Sequence, residues 1–402
     1  MPAPASFLAL PGFKPTADSP YDWTADCRQR SILLGARDRG VTLFEAVSFS
    51  PPPWMTVTGS VAGSRVQKED NLNPAFDSAF ADYLAEVVRE YRDNPEWGIE
   101  FAFLSPCNES VEGWWLQGGR QEGCNFTPAS IDRLLPVVDA ALRGKGLCTR
   151  VTMADSWLQY MPDLIRNLSP ESLQAVGQFG VHSYYAVERE LEPDTKAGSR
   201  ADMCQLANRV GKRVWQTEYG PLGVEGRDET GVALEIARCI MLDVNQMRVS
   251  AWAYWQALEQ TNGGFWGLIN ATYTYDVPFS YHIAKQYYIL MHFSKWIRPG
   301  AHIFAVEERH RQTIVAALDC KESRVIVVAA NAQEAEVART IHLTDLQCFE
   351  SPILAAVYRT SETENHVLLE PWVLDFPGDM HVVLPSRSLT TFVLNGLVHS
   401  WL

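Results

Sequence analysis

No run of eighteen apolar residues occurs anywhere in this chain, so no membrane-spanning helix is expected. Positive charge is short: 34 Lys and Arg face 48 Asp and Glu, a net charge of -14. Phosphate backbones and anionic lipid surfaces would be repelled, so neither nucleic acid nor a membrane is an expected partner. The eight cysteines form no Cys-x-x-Cys pair, and the nine histidines form no His-Glu-x-x-His, so no metal is expected. No Gly-x-Gly-x-x-Gly follows the first predicted strand, which counts against a dinucleotide fold. Gly59-Ser-Val-Ala-Gly63 does not form a nucleophile elbow, so a serine hydrolase has no support. Met1–Leu10 lacks a basic start and is interrupted by proline, which excludes it as a signal peptide. Repeats and low-complexity linkers are missing too.

What the chain does have is tryptophan. Thirteen Trp and 14 Tyr exceed the needs of a core, and flat aromatic faces suit sugar rings as well as packing. Apolar residues at 47% and charged residues at 20% describe a soluble globular chain that can bury a large core. Its 402 residues make one large domain or two. Sequons at Asn108, Asn125, Asn167 and Asn270 would fit secretion, although such triplets also arise by chance.

Up to about residue 300, helix-like and strand-like runs alternate. Asn73-Pro74 and Thr127-Pro128 each read as an N-cap followed by proline in the first turn. Apolar residues then recur at helical spacing, from Phe76 to Tyr91 and from Ile131 to Leu142. Further helices are predicted near 25–39, 197–210, 228–247 and 280–296. Short apolar runs of the buried-strand type fall at Val41–Ser48, Gly98–Leu104, Cys148–Ala154, Ala175–His182, Arg213–Glu218 and Arg248–Gln256. This alternation predicts an α/β fold with a parallel sheet. Strands that repeatedly end in Glu, His, Asp, Tyr or Trp favour a (β/α) barrel, whose chemistry gathers at the C-terminal strand ends. After Arg298-Pro299-Gly300 the runs become short and β-rich, which predicts an antiparallel β-sandwich. The expected domains are a barrel over 1–298 and a sandwich over 299–402.

Two carboxylates stand out. Glu109 follows the run Gly98–Leu104, and Glu218 ends the run Arg213–Glu218 three strands later. In a ring of eight strands that is about 135° of rotation, which points both into one mouth. Cleaving a glycosidic bond uses such a pair, one to protonate the leaving oxygen and one to attack or to activate water. A single Glu reads as an ordinary surface charge; the pair, flanked by Asn108, Trp215 and Tyr219, reads as a site. Glu45 lies inside a strand and is expected to be structural. Asp155 is a possible third polar group of the mouth, and Glu122 a loop charge.

Several motifs together resemble glycoside hydrolase family 30, most closely its endo-β-1,6-galactanase-like branch. They are Pro11-Gly-Phe-Lys14, Tyr21-Asp-Trp-Thr-Ala-Asp26, Ser50-Pro-Pro-Pro-Trp-Met-Thr56 and Asn71-Leu72. Ser105-Pro-Cys-Asn-Glu109, Gln121-Glu-Gly-Cys124, His182-Ser-Tyr184, Val214-Trp-Gln-Thr-Glu-Tyr-Gly220, Tyr254-Trp-Gln256 and Phe293-Ser-Lys-Trp-Ile-Arg-Pro-Gly300 follow in order. The resemblance implies a retaining (β/α)8 TIM barrel with an attached β-sandwich. It implies Glu109 as acid/base and Glu218 as nucleophile, with Asn108 on the sugar 2-hydroxyl and His182 and Tyr184 as positioning groups. Retention requires carboxyls about 5–5.5 Å apart, with Glu218 ionised and Glu109 held protonated by nearby negative charge. Against the family pattern, Val41–Ser48 corresponds to the third barrel strand, so the first two βα units are expected to be missing from this chain. Cys107 and Ser110 also depart from the usual residues around Asn108-Glu109.

Trp54, Trp157, Trp215, Tyr184 and Trp255 lie at strand C-termini, where they either stack on sugars or pack in the core. Trp114-Trp115 either walls a subsite or closes the barrel top. Cys107 and Cys124 either form a disulfide or remain two buried thiols, and Cys320 and Cys348 pose the same choice. His302 and His310 read as sandwich-edge residues. No cofactor is required. The expected function is retaining hydrolysis of β-linked galactan, with β-1,6-galactan as the best single substrate, by a secreted monomer acting on poly- or oligosaccharide. The alternatives are a β-1,6-glucanase, xylanase or glucosylceramidase activity of the same family. A non-catalytic carbohydrate-binding protein, should the incomplete barrel be unable to hold a site, is another.

Overall fold

The computed structural model describes residues 10, 12–184, 200–222, 227–260, 266–272, 277–344, 346–348 and 351–399. The chain forms two compact units. One holds Met1–His182 and Thr195–Thr217; the other holds Ser183–Asp194 and Glu218–Leu402.

The first unit is an alternating α/β structure. Its strands are β1 (Phe44–Val47), β2 (Phe101–Ser105), β3 (Arg150–Trp157), β4 (Val176–His182) and β5 (Arg213–Glu218), whose last residue begins the second unit's main segment. They lie side by side in chain order, and β1 to β4 pair in parallel. Helix α1 (Cys27–Arg37) precedes β1, and α2 (Asp77–Asp93), α3 (Pro128–Gly144), α4 (Met161–Arg166), α5 (Pro170–Ala175) and α6 (Arg200–Arg209) run between the strands. The predicted caps are present. Thr127 accepts from Ser130 N ahead of α3, and Asn73 accepts from Ala75 N in a short 3-10 turn ahead of α2. On α2, Phe80, Leu84, Val88 and Tyr91 are buried at spacings of three and four, the stripe that packs a helix on a sheet. Helix α1 has no buried residue; it is tied down partly by Arg30 stacked over Trp97 at 4.2 Å. Helices α4 and α5 were not foreseen, because six residues are too few to show a 3.6-residue period.

In the second unit, helix α7 (Glu229–Leu242) is capped by Asp228, which accepts from Gly231 N at 2.7 Å. Residues 302–303, 314–319, 324–331, 388–395, 353–360 and 367–368 form an antiparallel sheet in that order, with 372–374 also paired to 353–360. Strands 337–341 and 380–384 form a separate antiparallel pair. Met380, Val382 and Leu384 point inward while His381 and Val383 point outward, the period-two pattern of a half-buried strand. The buried cluster here is apolar throughout.

Three expectations need correcting, and a fourth is seen only in part. The predicted helix 280–296 starts only at Lys285 and ends at Ser294, because Tyr281–Ile283 is a strand paired with Ile269–Ala271. Alternating Tyr281 and Ile283 carry both periods, and pairing decides between them. The predicted strand 248–256 shrinks to Ala251–Trp252. The helix expected at 197–210 begins outside the described residues and is seen from Arg200. Of the four sequons only Asn167 is exposed; Asn108, Asn125 and Asn270 are buried and closed to glycosylation in the folded chain.

Candidate active site

In the first unit, the loop after β2 is clasped to β3. Glu109 N donates to Asp155 O at 2.7 Å, and Trp115 Nε1 donates to Glu109 O at 2.7 Å. Both Glu109 (φ 47°) and Asp155 (φ 46°) occupy the left-handed region, which non-glycine residues adopt only where surroundings hold them. The register of β3 on β4 shifts between Met153 and Ser156, so Asp155 and Ser156 are re-aimed by the irregularity. Gly180 on β4 leaves room for this: a Cβ there would lie 2.2 Å from Asp155 Oδ1.

Glu109 is buried, at 8% exposure. Its Oε1 accepts from Trp157 Nε1 at 2.6 Å and meets His182 Nδ1 at 2.8 Å. Three strands or their following loops, β2, β3 and β4, thus converge on one carboxyl. Trp157 packs its ring edge against Trp114 at 5.1 Å, so this tryptophan contributes a hydrogen bond to the carboxyl as well as a face. Asn108 is buried at 4% exposure. Trp54 is half-buried, with Nε1 donating to Lys14 O at 3.0 Å and its ring edge-on to Phe76. Trp215 packs against Phe103.

In the second unit, Glu218 Oε1 accepts from Tyr184 Oη at 2.8 Å, and Glu218 O accepts from Ser183 N at 3.2 Å. Trp255 N donates to Tyr219 O at 2.8 Å. Gly220 makes that approach possible, since a Cβ would sit 2.3 Å from Trp255 O. Tyr184 is buried between Tyr219 and Trp266, at 6.0 and 6.1 Å between ring centres.

Other candidates resolve into structural parts. Glu45 Oε1 accepts from Thr152 Oγ1 and from Gln178 Nε2 (3.1 Å). Burial, and then the charge of Asp155, pushes the Glu45 carboxyl up to about 8. Asp155 Oδ1 accepts from Thr217 Oγ1 at 2.5 Å. Glu122 is no free loop charge: it accepts from Ser50 Oγ (2.7 Å) and Leu10 N (2.9 Å), and burial raises its pKa. Neither disulfide forms: Cys107, Cys124, Cys320 and Cys348 all keep their thiols. Cys107 and Cys124 are buried thiols, Cys107 pushed up to about 12 by desolvation.

Two residues escaped the sequence reading. Glu112, three residues beyond Glu109, is 5% exposed and accepts from Ser156 Oγ and Trp157 N. Its only sequence signal was proximity to Glu109. Asp243, fully buried, accepts from Ser183 Oγ (3.1 Å) and Trp252 Nε1 (2.8 Å); nothing in its local sequence marked it.

A model of O-glycosyl hydrolase family 30 matches residues 13–264, more than half of the chain. The chain belongs to that family. It is 26% identical over 319 residues to an endo-beta-1,6-galactanase from Hypocrea rufa, an alignment covering 78% of this chain and 60% of that one. The chain therefore spans about 60% of the length of the galactanase it matches. Among solved structures it is similar to a conserved exported protein from Bacteroides fragilis, with TM-score 0.79 and 22% identity over 94% of this chain and 81% of that one. A family 30 subfamily 8 xylanase from Clostridium acetobutylicum is similar too, with TM-score 0.72 and 22% identity over 93% and 85% of the two chains. At such identities the structures speak for the fold. Among the described residues no helix is long and apolar enough to cross a membrane.

Proposed function

We propose that this chain is a retaining glycoside hydrolase that cleaves β-linked galactan, with endo-β-1,6-galactanase as the specific activity. The observation that carries the reading is the treatment of Glu109. A buried carboxyl at a strand end, gripped on Oε1 by an indole N–H and an imidazole, is a group held in place for proton transfer. Glu218, at the end of β5, is held by the Tyr184 hydroxyl, which favours its ionised form.

In this reading a Glu218 oxygen attacks the anomeric carbon while Glu109, through Oε2, protonates the departing glycosidic oxygen. The C–O bond to the leaving sugar breaks and a covalent glycosyl–Glu218 ester forms. Glu109, now ionised, takes a proton from water. That water attacks the same carbon, releasing the sugar and restoring Glu218. Asn108 holds the 2-hydroxyl, His182 and Tyr184 position the two carboxyls, and Trp54, Trp157 and Trp255 receive sugar faces. The sheet from β1 to β5 is read as part of a (β/α) barrel of the family's type within 1–298, and residues 299–402 as a β-sandwich. The galactanase relative supports the substrate, and the exported relative supports secretion. The protein acts as a monomer on a polysaccharide, without cofactor or metal.

The test is reducing-sugar release from de-arabinosylated β-1,6-galactan, with β-1,6-glucan and xylan alongside. Release from galactan alone, abolished in Glu218→Gln, supports the full reading. Release from xylan keeps the mechanism and moves the substrate toward that of the xylanase relative. Undiminished release in Glu218→Gln overturns the nucleophile.

A further inference from the structure

We propose that Glu112 is a positioning residue for Glu109, acting through Trp157. The proposal rests on the assignment of Glu109 as the acid/base and deepens it. Glu112 Oε1 takes two donors from consecutive residues of β3, Ser156 Oγ at 2.5 Å and Trp157 N at 3.0 Å. The side chain of the same Trp157 then donates its indole N–H to Glu109 Oε1 at 2.6 Å. Trp157 is therefore fastened at its backbone by one carboxyl and oriented toward the other. It lies just past the register shift between Met153 and Ser156, in the short stretch of β3 that is paired again with β4, opposite His182.

The chemistry of the fastener is informative. Glu112 is 5% exposed, and its Oε2 is buried without a hydrogen-bond partner. Burial raises its pKa, and the neighbouring Glu109 charge adds to the rise. Burying a carboxyl this way costs free energy that an apolar side chain would not. What a carboxyl offers in return is a strong acceptor able to hold two donors on one oxygen. Among the described residues of the first unit, His182 on β4, Asp155 on β3 and Glu112 in its own loop are titratable groups that face Glu109. Among them Glu112 alone holds Trp157 by its backbone.

An acid that must reach one glycosidic oxygen loses up to about 100-fold in rate when it is displaced by roughly 1 Å. That loss has a signature. It falls on leaving groups that need protonation and spares those that do not. The experiment compares kcat/KM for phenyl and dinitrophenyl glycosides of the hydrolysed sugar, which reports glycosylation alone. Glu109→Ala comes first: a loss confined to the phenyl glycoside, with azide restoring turnover on the dinitrophenyl substrate, establishes the acid/base. Glu112→Ala should then lower phenyl-glycoside kcat/KM by about tenfold or more, leaving the dinitrophenyl glycoside within about twofold; Trp157→Phe, which also changes a sugar-facing ring, should lower both, the phenyl glycoside by about tenfold more than the dinitrophenyl one. The double variant should be no worse than the worse single one, because both act through one hydrogen bond. Glu112→Gln, which keeps an acceptor oxygen, should restore activity to within about threefold of the parent.

Equal losses on both leaving groups, an additive double variant, or a Glu112→Gln as damaging as Glu112→Ala would overturn the proposal while leaving Glu109 in place. A Glu109→Ala without leaving-group dependence would remove the acid/base assignment itself, and the positioning role with it. If Glu112→Ala does not fold, Trp157→Phe and Glu112→Gln still decide.

Discussion

Two eight-residue strands of this chain begin alike and end differently. β3 reads Arg150-Val-Thr-Met-Ala-Asp-Ser-Trp157, and the second unit's central strand reads Arg324-Val-Ile-Val-Val-Ala-Ala-Asn331. Both are buried almost from end to end. In the second, every side chain from Val325 to Ala330 is apolar, and the polar residue at its C-terminal end closes a turn: Asn331 Nδ2 donates to the carbonyls of Ala335, Leu384 and Pro385. In β3, Thr152, Asp155 and Ser156 are buried mid-strand, and each bonds another polar side chain: Glu45, Thr217 and Glu112. Burying polar groups is tolerated only when they are paired. A strand that carries three such pairs has been built for something other than packing.

The comparison predicts that the two strands fail in different ways. Leu394, fully buried opposite Val325, is part of the apolar cluster. Leu394→Ala should cost about 2–5 kcal/mol of stability by leaving a cavity. Turnover per folded molecule should not change. Urea unfolding with parallel kinetics checks this, and a lower kcat in the folded variant would break the division of labour.

The polar interior of the first unit has a pH signature of its own. Native Glu45 keeps its proton up to about 8, whereas in the unfolded chain it is lost near 4.5. Between those values the native state holds the extra proton, so stability falls as pH rises through the window. The fall attributable to Glu45 should be on the order of 4–5 kcal/mol. Glu45→Gln, which keeps an acceptor for Thr152 and Gln178, should flatten it. Urea midpoints at several pH values across this range decide; an unchanged slope would mean that Glu45 is ionised in the native protein.

Much of this arrangement was legible in the sequence. The strand runs, the Asn73 and Thr127 caps and the strand-end positions of Glu109 and Glu218 follow from local periodicity and turn chemistry, which the chain reports directly. The grip on Glu109 was not legible. Trp157 and His182 reach it across 48 and 73 residues of sequence, and no local pattern encodes which atom of a tryptophan will be used. The same reason hid Asp243, whose donors come from Ser183 and Trp252. Tyr281–Ile283 was misread because its pairing partner, not its own sequence, makes it a strand.

The second unit carries its own buried polar contact at Tyr184, and it is smaller in scale. Tyr184→Phe removes the hydroxyl that donates to Glu218 Oε1 while keeping the ring between Tyr219 and Trp266. Hydrogen bonds to charged groups contribute about 1.5–3 kcal/mol, so kcat/KM should fall roughly 10- to 100-fold with little change in stability. A loss of stability matching the loss of rate would make the tyrosine a packing residue instead.

The reciprocal exchange at the seventh position of the two strands isolates the difference with the fewest atoms. Ser156→Ala removes one of two donors to Glu112 Oε1 and leaves Trp157 N in place, so the acceptor stays satisfied. Its cost should be about 0.5–1.5 kcal/mol. Ala330→Ser places a hydroxyl in a strand whose interior side chains are apolar and should cost about 1–3 kcal/mol if it finds no partner. The serine loss should appear in phenyl-glycoside turnover as well as in stability, because Ser156 helps seat Glu112. The alanine exchange should appear in stability alone. If both variants lost only stability, and by similar amounts, the polar pairs of β3 would be ordinary satisfied hydrogen bonds, and burial of polar side chains would no longer mark where the chemistry is.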